Sequence, residues 1–341
     1  MIYIGLDVHK ENTTACFISP GGKVLKNFEV PSSADGLAAI REHAKNREYC
    51  VMMESSTYSY PVYRYFDDLG VETCVVHAAS LKVVTQSDKK TDKKDAELIG
   101  RYLRLWKKKE IELSMSFIPT REQCALKDIC RYREEISKKT GDETRRIRAH
   151  LKRNCQELPE EFDNLATKKT KNHIRKMWPD DMTLMHRLDM YEELLKEGKR
   201  IEKEVISHMR NDPNVSILAD ILGIGRQTAV QIMSMIIDIK RFPTPEKLCA
   251  YFGMVPRVHD SGGKQHHGKM TKTGDKMMRM IMERVTQLHI QFCDSFIREY
   301  HNRKLKEMGK KKAPITTSRK MLTGIHALLT KQESFRAQIR M

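Results

Sequence analysis

Four acidic side chains are placed where they could do metal chemistry. Asp7 closes the apolar run Ile2-Tyr3-Ile4-Gly5-Leu6, Glu54 closes a second run, Tyr49-Cys50-Val51-Met52-Met53, and Asp92 and Asp95 stand one helical turn apart. Metal-assisted phosphoryl transfer needs hard oxygen ligands converging on one point, because Mg²⁺ takes carboxylates and water, and paired ions about 3.5–4 Å apart stabilise both the entering and the leaving oxygen. Taken singly, each acid has a plainer explanation: strand-end residues for two of them, and helix-start residues that offset the macrodipole for Asp92 and Asp95. Together they fit acids at the ends of neighbouring strands, completed by a helix, and point to Mg²⁺ and phosphodiester chemistry. An actin-like phosphate-gripping hairpin in Gly5-Leu6-Asp7 through Ile18 is the competing reading. A matching second Gly-rich strand-turn is missing later in the sequence, and the strong basicity also counts against it.

A second cluster runs from Asp260 to Lys272, Asp-Ser-Gly-Gly-Lys-Gln-His-His-Gly-Lys-Met-Thr-Lys. A serine hydroxyl is a weak nucleophile until activated, whereas flanking glycines give a phosphate close access and Lys and His offset charge on a transferring group. Ser261 fits that role, with Lys264, Lys269 and Lys272 as phosphate contacts. A serine beside Gly-Gly is also an ordinary turn, and the roles of His266 and His267 stay open between surface residues and phosphate clamps. Ser55 and Ser56, next to Glu54, are the alternative hydroxyls. Upstream, Leu222-Gly223-Ile224-Gly225-Arg226 reads as the turn of a helix-hairpin-helix element. There Gly223, Gly225 and Arg226 would let backbone N–H groups and a guanidinium reach a nucleic-acid phosphate; a plain glycine cap between packed helices is the alternative.

These residues require an α/β frame at the N-terminus and helices after it. Residues 2 to 30 read as a three-stranded antiparallel meander with a Pro20-Gly21-Gly22 turn. A helix follows from Ser32-Ser33, then the strand Tyr49 to Glu54, a helix from Val62 to Leu69 and the strand Val71 to Val76, an alternation that extends the sheet in parallel. From Asp92 a helix packs through Ala96, Ile99, Leu103 and Trp106, so that Asp92 and Asp95 point the same way. Between about 119 and 212 the pattern predicts two long charged helices forming an antiparallel or intermolecular coiled coil. Their basic stretch from Arg145 to Arg153 is either a solvated face or a phosphate track. The last part is mainly helical: the Gly-Ile-Gly element, a short helix at Leu248 to Gly253, a polar loop or hairpin from Val255 to Met270, a Met-rich helix from Thr273 to about Leu305, and an amphipathic helix from Pro314. The domains expected are 1–118, 119–212 and 213–341.

The chain has 341 residues, 40% of them hydrophobic, enough for two or three domains with real cores. Lys and Arg number 62 against 45 Asp and Glu, a net charge of +17 that predicts a polyanionic partner. The eight cysteines are scattered without a Cys-x-x-Cys pair, as expected of reduced, packed thiols. No stretch approaches the roughly 20 apolar residues of a membrane span, and no secretory signal pattern opens the sequence, so a cytoplasmic protein is expected.

The segments IGLDVHK, VMMESS, KTDKKDAELIGRYL, ILGIGRQTA, RFPTPEKLCAYFGMVP and SGGKQHHGKMTKTGDKMMR together resemble the insertion-sequence-110 family of DEDD transposases, the bridge-RNA-guided recombinases. They span nearly the whole chain in family order. The resemblance implies an α/β RNase H-like (RuvC-like) N-terminal domain, an α-helical coiled-coil connector, and a mainly α C-terminal transposase domain with a nucleophilic serine. It puts the family's acidic tetrad on Asp7, Glu54, Asp92 and Asp95 and its serine on Ser261. It implies donor and target DNA and a structured guide RNA as partners, and a homo-oligomer, dimer or tetramer, whose catalytic parts act across subunits. Gly268-Lys269-Met270-Thr271-Lys272 departs mildly from the family's Gly-x-Ile-Thr/Ser-Lys stretch, which touches the loop contacts rather than Ser261. Three functions follow for testing: a recombinase working through a covalent phosphoserine, a RuvC-like structure-selective nuclease using water, and a noncatalytic nucleic-acid-binding protein.

Overall fold

Seven N-terminal residues already show why the sheet is buried on both sides. In β1 (Ile2–Val8) every residue but Asp7 is buried, so the run is continuous rather than alternating. The computed structural model describes residues 1–82, 92–261 and 264–335, with main chain alone at 79, 258–261 and 264–269. By contacts the chain divides into two units, Met1–Ile118 and Pro119–Met341.

In the first unit β1, β2 (Asn12–Ile18) and β3 (Val24–Pro31) form the antiparallel meander, while β4 (Tyr49–Glu54) and β5 (Thr73–Val76) run parallel to β1, giving the order β3-β2-β1-β4-β5. Met115 adds an antiparallel bridge to Val76. On one face Ile4, Leu6, Val51 and Met53 meet Leu37 and Ile40 of α1 (Ala34–His43) and Val62 and Phe66 of α2 (Ser59–Asp67). On the other, Tyr3, Cys50 and Met52 meet Ala96, Ile99 and Leu103 of α4 (Asp92–Lys107), with Leu81 of the short α3 (Ala78–Lys82). Ser33 starts α1 by accepting the Gly36 N–H, the capping that serine supplies at a helix start.

The second unit is helical apart from one hairpin. A Thr120–Gln123 capping box starts α5 (Arg121–Arg153), which packs antiparallel on α7 (Met182–His208): Ile147 and Leu151 meet Leu184, Leu188 and Tyr191, and the facing Ile136 approaches Gly198. A helix that the sequence pattern did not predict, α6 (Lys168–Met177), lies between them in sequence. Its apolar content, Ile174 with Met177, is too thin to register as a period. Beyond α8 (Pro213–Ala219), α9 (Arg226–Ile236) and α10 (Pro245–Tyr251), the hairpin β6 (Pro256–Ser261) and β7 (Lys264–Met270) leads to α11 (Lys276–Phe292) and α12 (Phe296–Lys331). The second core gathers α9, α11 and α12 with Cys130 and Ile136 of α5 and Ile201 and Val205 of α7.

The single helix expected from Thr273 to about Leu305 is two. Cys293 is extended, and Ser295 caps α12 by accepting the Arg298 N–H while its hydroxyl holds the buried His289 ring at 2.8 Å. Hydrophobic period continues through such a break, whereas a serine cap ends it. α12 itself is interrupted at Gly309, whose left-handed φ of 77° separates two helical segments, and Pro314 lies near the start of the second. Of the basic stretch on α5, Arg145 pairs with Asp142, Arg146 with Glu143 and Arg148 with Asp163. None of the eight cysteines is in a disulfide, and burial pushes the Cys50 and Cys74 thiols up to about 12, as suits inert packed thiols. Among the described residues no helix is long and apolar enough to cross a membrane.

Candidate functional site

The acids of the first unit are placed by a backbone-to-backbone crossing of α4 over β1. A Cβ on Gly5 would fall 2.2 Å from both the Ala96 carbonyl oxygen and the Gly100 nitrogen, and one on Gly100 would fall 3.1 Å from the Gly5 nitrogen. Two glycines therefore let the helix lie directly on the strand. Asp7 is two residues along β1 from that crossing, on the same face as Gly5, and Asp95 and Asp92 occupy the first turn of α4. That turn is tied down by Asn27 of β3, whose side-chain amide donates to the Lys93 carbonyl at 2.8 Å, and farther along by Arg101, which donates to the Gly22 carbonyl at 3.1 Å. Glu54 reaches the same end of the sheet from β4: Leu6 pairs with Met53, so Asp7 and Glu54 are the next residues on parallel neighbours and share a face.

Side-chain oxygens of Asp7 and Asp92 come together with the His9 ring, one ligand atom from each lying within 4.8 Å of the others. His9 Nε2 is 3.2 Å from Asp7 Oδ2 and 3.9 Å from Asp92 Oδ1. Asp95 acts on Asp7 electrostatically but is outside this group, as is Glu54. The Asp7 side chain is 17% exposed and that of Asp92 65%. Burial pushes the Asp7 carboxyl above the ordinary aspartate range; His9 opposes the rise, and Asp92 and Asp95 add to it. A half-buried carboxylate crowded by two more acids is what a divalent cation relieves, and the donor set, carboxylate oxygens with one imidazole nitrogen, suits such an ion.

In the second unit Ser261 is the last residue of β6, paired across the hairpin with Lys264, and the register continues through Asp260 with Gln265 and His259 with His266. Ser261 thus sits beside the tip, which places Lys264 directly opposite and Lys269 near the base of β7; their side chains lie outside the described residues. The stem is pinned below. Cβ atoms on Gly253 and Gly274 would strike the Thr273 and Tyr251 carbonyl oxygens at 2.1 and 2.0 Å, and Arg279 Nη1 donates to the Phe252, Thr273 and Gly274 carbonyls. Lys272, exposed, follows the stem with a left-handed φ of 53°.

The Gly-Ile-Gly turn divides its labour. Gly223 has φ +99°, and a Cβ there would lie 3.0 Å from the Val285 carbonyl oxygen, so this glycine serves packing on α11. Gly225 is open, starts α9 without a side-chain cap, and is followed by the exposed Arg226. Uncapped N–H groups beside an exposed guanidinium are the kind of helix start to which anions are drawn.

Sequence reasoning passed over His9, Gly5, Gly100 and Asn27. The histidine stood two residues past Asp7, on the same side of an extended chain, a spacing that could have marked it. The glycine pair is visible only once helix and strand are superposed.

Acids at the ends of the inner strands β1 and β4 of a mixed sheet, with the first turn of α4 beside them and on a chain this basic, fit a metal-using enzyme that acts on nucleic acid. Comparison with known proteins agrees. The family profile DEDD_Tnp_IS110, described as a transposase, matches residues 4–155, and that of the transposase IS116/IS110/IS902 family matches residues 215–302. The transposase for insertion sequence element IS1111A of Coxiella burnetii is 25% identical across 98% of this chain and 91% of its own length. The transposase for IS1533 of Leptospira borgpetersenii is 26% identical across 70% of each, and the pilin gene-inverting protein of Moraxella lacunata 23% identical across 99% and 98%. The chain belongs to the IS110 family of transposases, and its family implies use of a divalent metal.

Proposed function

We propose that this transposase carries out RNA-guided cleavage and exchange of DNA strands through a covalent phosphoserine on Ser261, with Asp7, Glu54, Asp92 and Asp95 holding Mg²⁺. The observation that carries the reading is the joining of Asp7 and Asp92 by the glycine crossing of β1 and α4, with Glu54 at the matching end of β4. The strand order β3-β2-β1-β4-β5, three antiparallel and two parallel, supports an RNase H-like, RuvC-like catalytic domain at 1–118. The α5–α7 pair supports a connector at 119–212, and the Gly-Ile-Gly element and hairpin a C-terminal transposase domain at 213–341.

Bound by the four carboxylates, Mg²⁺ supplies charge neutralisation and polarisation of the scissile phosphate. The Ser261 hydroxyl attacks phosphorus; its Oγ–P bond forms as one ester P–O bond of the DNA breaks, the serine proton passes to solvent and the departing DNA oxygen takes one up. A DNA hydroxyl reverses the step and rebuilds an ester, so bond energy is kept and no water enters. Gly225 and Arg226, together with Lys264, Lys269 and Lys272, hold the phosphates, while donor and target DNA are selected by pairing with a guide RNA. The enzyme works as a homo-oligomer in the cytoplasm. The relative named for inverting a pilin gene supports strand exchange over the RuvC-like nuclease reading.

Denaturing gels of reactions with labelled DNA test this. A protein-linked strand that disappears in Ser261→Ala is expected. Free cleaved ends with no linkage would replace the recombinase by the nuclease. Asp92→Asn is expected to abolish strand exchange while leaving RNA binding largely intact, and unchanged exchange in that variant would remove the metal site.

A further inference from the structure

We infer that His9 is itself a ligand of the divalent metal, so that the site binds through mixed nitrogen and oxygen donors and prefers Mn²⁺ to Mg²⁺. The inference rests on the metal site proposed above and extends it to a residue outside the acidic tetrad.

The geometry is that of ligands around one ion. Metal bonds of about 2.1 Å put neighbouring octahedral ligands about 3.0 Å apart and opposite ones about 4.2 Å apart. The ring nitrogen lies 3.2 Å from Asp7 Oδ2 and 3.9 Å from Asp92 Oδ1, inside that interval for both. Its position is built rather than incidental. The His9 N–H donates to the Asn12 carbonyl at 2.9 Å and its carbonyl accepts from the Ser32 hydroxyl, also at 2.9 Å. Since Ser32 spends its proton on His9, the Thr13 hydroxyl donates to Ser32 Oγ at 2.7 Å, and Thr13 is fully buried. A buried threonine thus anchors a serine, which anchors the turn that presents the imidazole to the carboxylates.

The consequence is selectivity. Mg²⁺ favours oxygen ligands, whereas imidazole binds first-row transition ions well, so one nitrogen among carboxylates tilts a site toward Mn²⁺. The test uses the full chain and three proteins: wild type, His9→Ala and Asp92→Asn. Free Mn²⁺ is counted from its electron paramagnetic resonance signal, Mg²⁺ affinity is obtained by competition, and nitrogen ligation is read from ¹⁴N modulation of the Mn²⁺ electron spin echo. Wild type should bind Mn²⁺ with ¹⁴N modulation; His9→Ala should lose the modulation and about tenfold or more in Mn²⁺ affinity, the scale on which even supporting residues of metal sites act, with Mg²⁺ affinity changed by less than about threefold. Mn²⁺ binding that weakens in Asp92→Asn but is unchanged in His9→Ala, without ¹⁴N modulation in wild type, overturns the inference and leaves the metal site standing. Binding that is indifferent to both substitutions overturns both.

Discussion

Gly5→Ala is expected to damage the enzyme in two separable ways. The added Cβ would sit 2.2 Å from the Ala96 carbonyl oxygen and the Gly100 nitrogen, whereas ordinary contact begins near 3.4 Å, and both obstacles are backbone. No rotamer change relieves the clash, so α4 must withdraw from β1 by roughly 1 Å, at the ~1–3 kcal/mol typical of overpacking a tight interior. For a folding unit of this size that is a fall of about 5–10 °C in the melting transition. The helix that withdraws carries Asp92 and Asp95, while Asp7 stays with the strand, and a displacement of about 1 Å in a reacting site costs about 100-fold in rate. The assays are thermal unfolding of the full chain, with amide hydrogen exchange in α4 to localise the loosening, and metal-dependent strand exchange below the melting range. Gly100→Ala should be milder: its closest contact is the Ile18 side chain at 2.9 Å and its closest backbone contact the Gly5 nitrogen at 3.1 Å, against 2.2 Å for Gly5, and alanine in mid-helix returns up to about 1 kcal/mol. Gly21→Ala, with only the Ser19 hydroxyl at 4.0 Å, is the control. Gly5→Ala with wild-type melting and wild-type exchange would refute the crossing as the device that sets the acids.

Asp275 caps α11 through the Met277 N–H and meets Lys127 and Arg131 of α5 at 3.3 and 2.9 Å. Burial acts to raise its carboxyl, but the Met277 N–H and the two cations prevail and hold it below the ordinary 3.8. A lowered carboxylate stabilises the fold above its unfolded value and loses that contribution as pH falls through the folded one. Asp275→Asn, which keeps the cap, should therefore be less stable than wild type at pH 7, with the gap closing on acidification below about pH 4; a gap independent of pH in denaturant titrations would refute the ion-pair account. The Leu222 carbonyl can only accept, so His289 Nδ1–H donates to it and Nε2 accepts the Ser295 hydroxyl, both at 2.8 Å. His289→Ala should cost about 1–3 kcal/mol by leaving the buried Ser295 hydroxyl and the part-buried Leu222 carbonyl unpaired, and an unchanged denaturation midpoint would count against the ring as the tie between the Gly-Ile-Gly turn and α12. If Arg226 contacts a phosphate, Arg226→Ala should weaken DNA binding without changing sequence preference and should flatten the slope of log affinity against log salt by about 1; an unaltered slope between about 50 and 200 mM salt would place it outside the interface.

What the sequence disclosed and what it hid divide along a physical line. Strands buried on one or both faces announce themselves by continuous apolar runs, so β1, β4 and β5 were legible, as were helix starts marked by a capping side chain such as Ser33. Breaks inside a continuing apolar period were not: Met282, Val285 and Ile297 keep a helical rhythm across Cys293, although Ser295 starts a new helix there. The acids were visible by type and position, but the means of assembling them was not, because the crossing depends on what Gly5 and Gly100 lack and becomes meaningful only when two distant segments touch. His9 was hidden for the opposite reason. Its residue type was in view, yet the placement of its main chain depends on Asn12, Thr13 and Ser32, none of which carries a chemical signal of its own. The same division explains the energetics of the site. Burial raises the Asp7 carboxyl and its acidic neighbours raise it further against the opposing effect of His9, so the fold concentrates acidic charge, and the tight packing of α4 on β1 holds those acids together. Loosening that packing should therefore relieve repulsion and weaken metal binding together, which ties the stability of this unit to its chemistry.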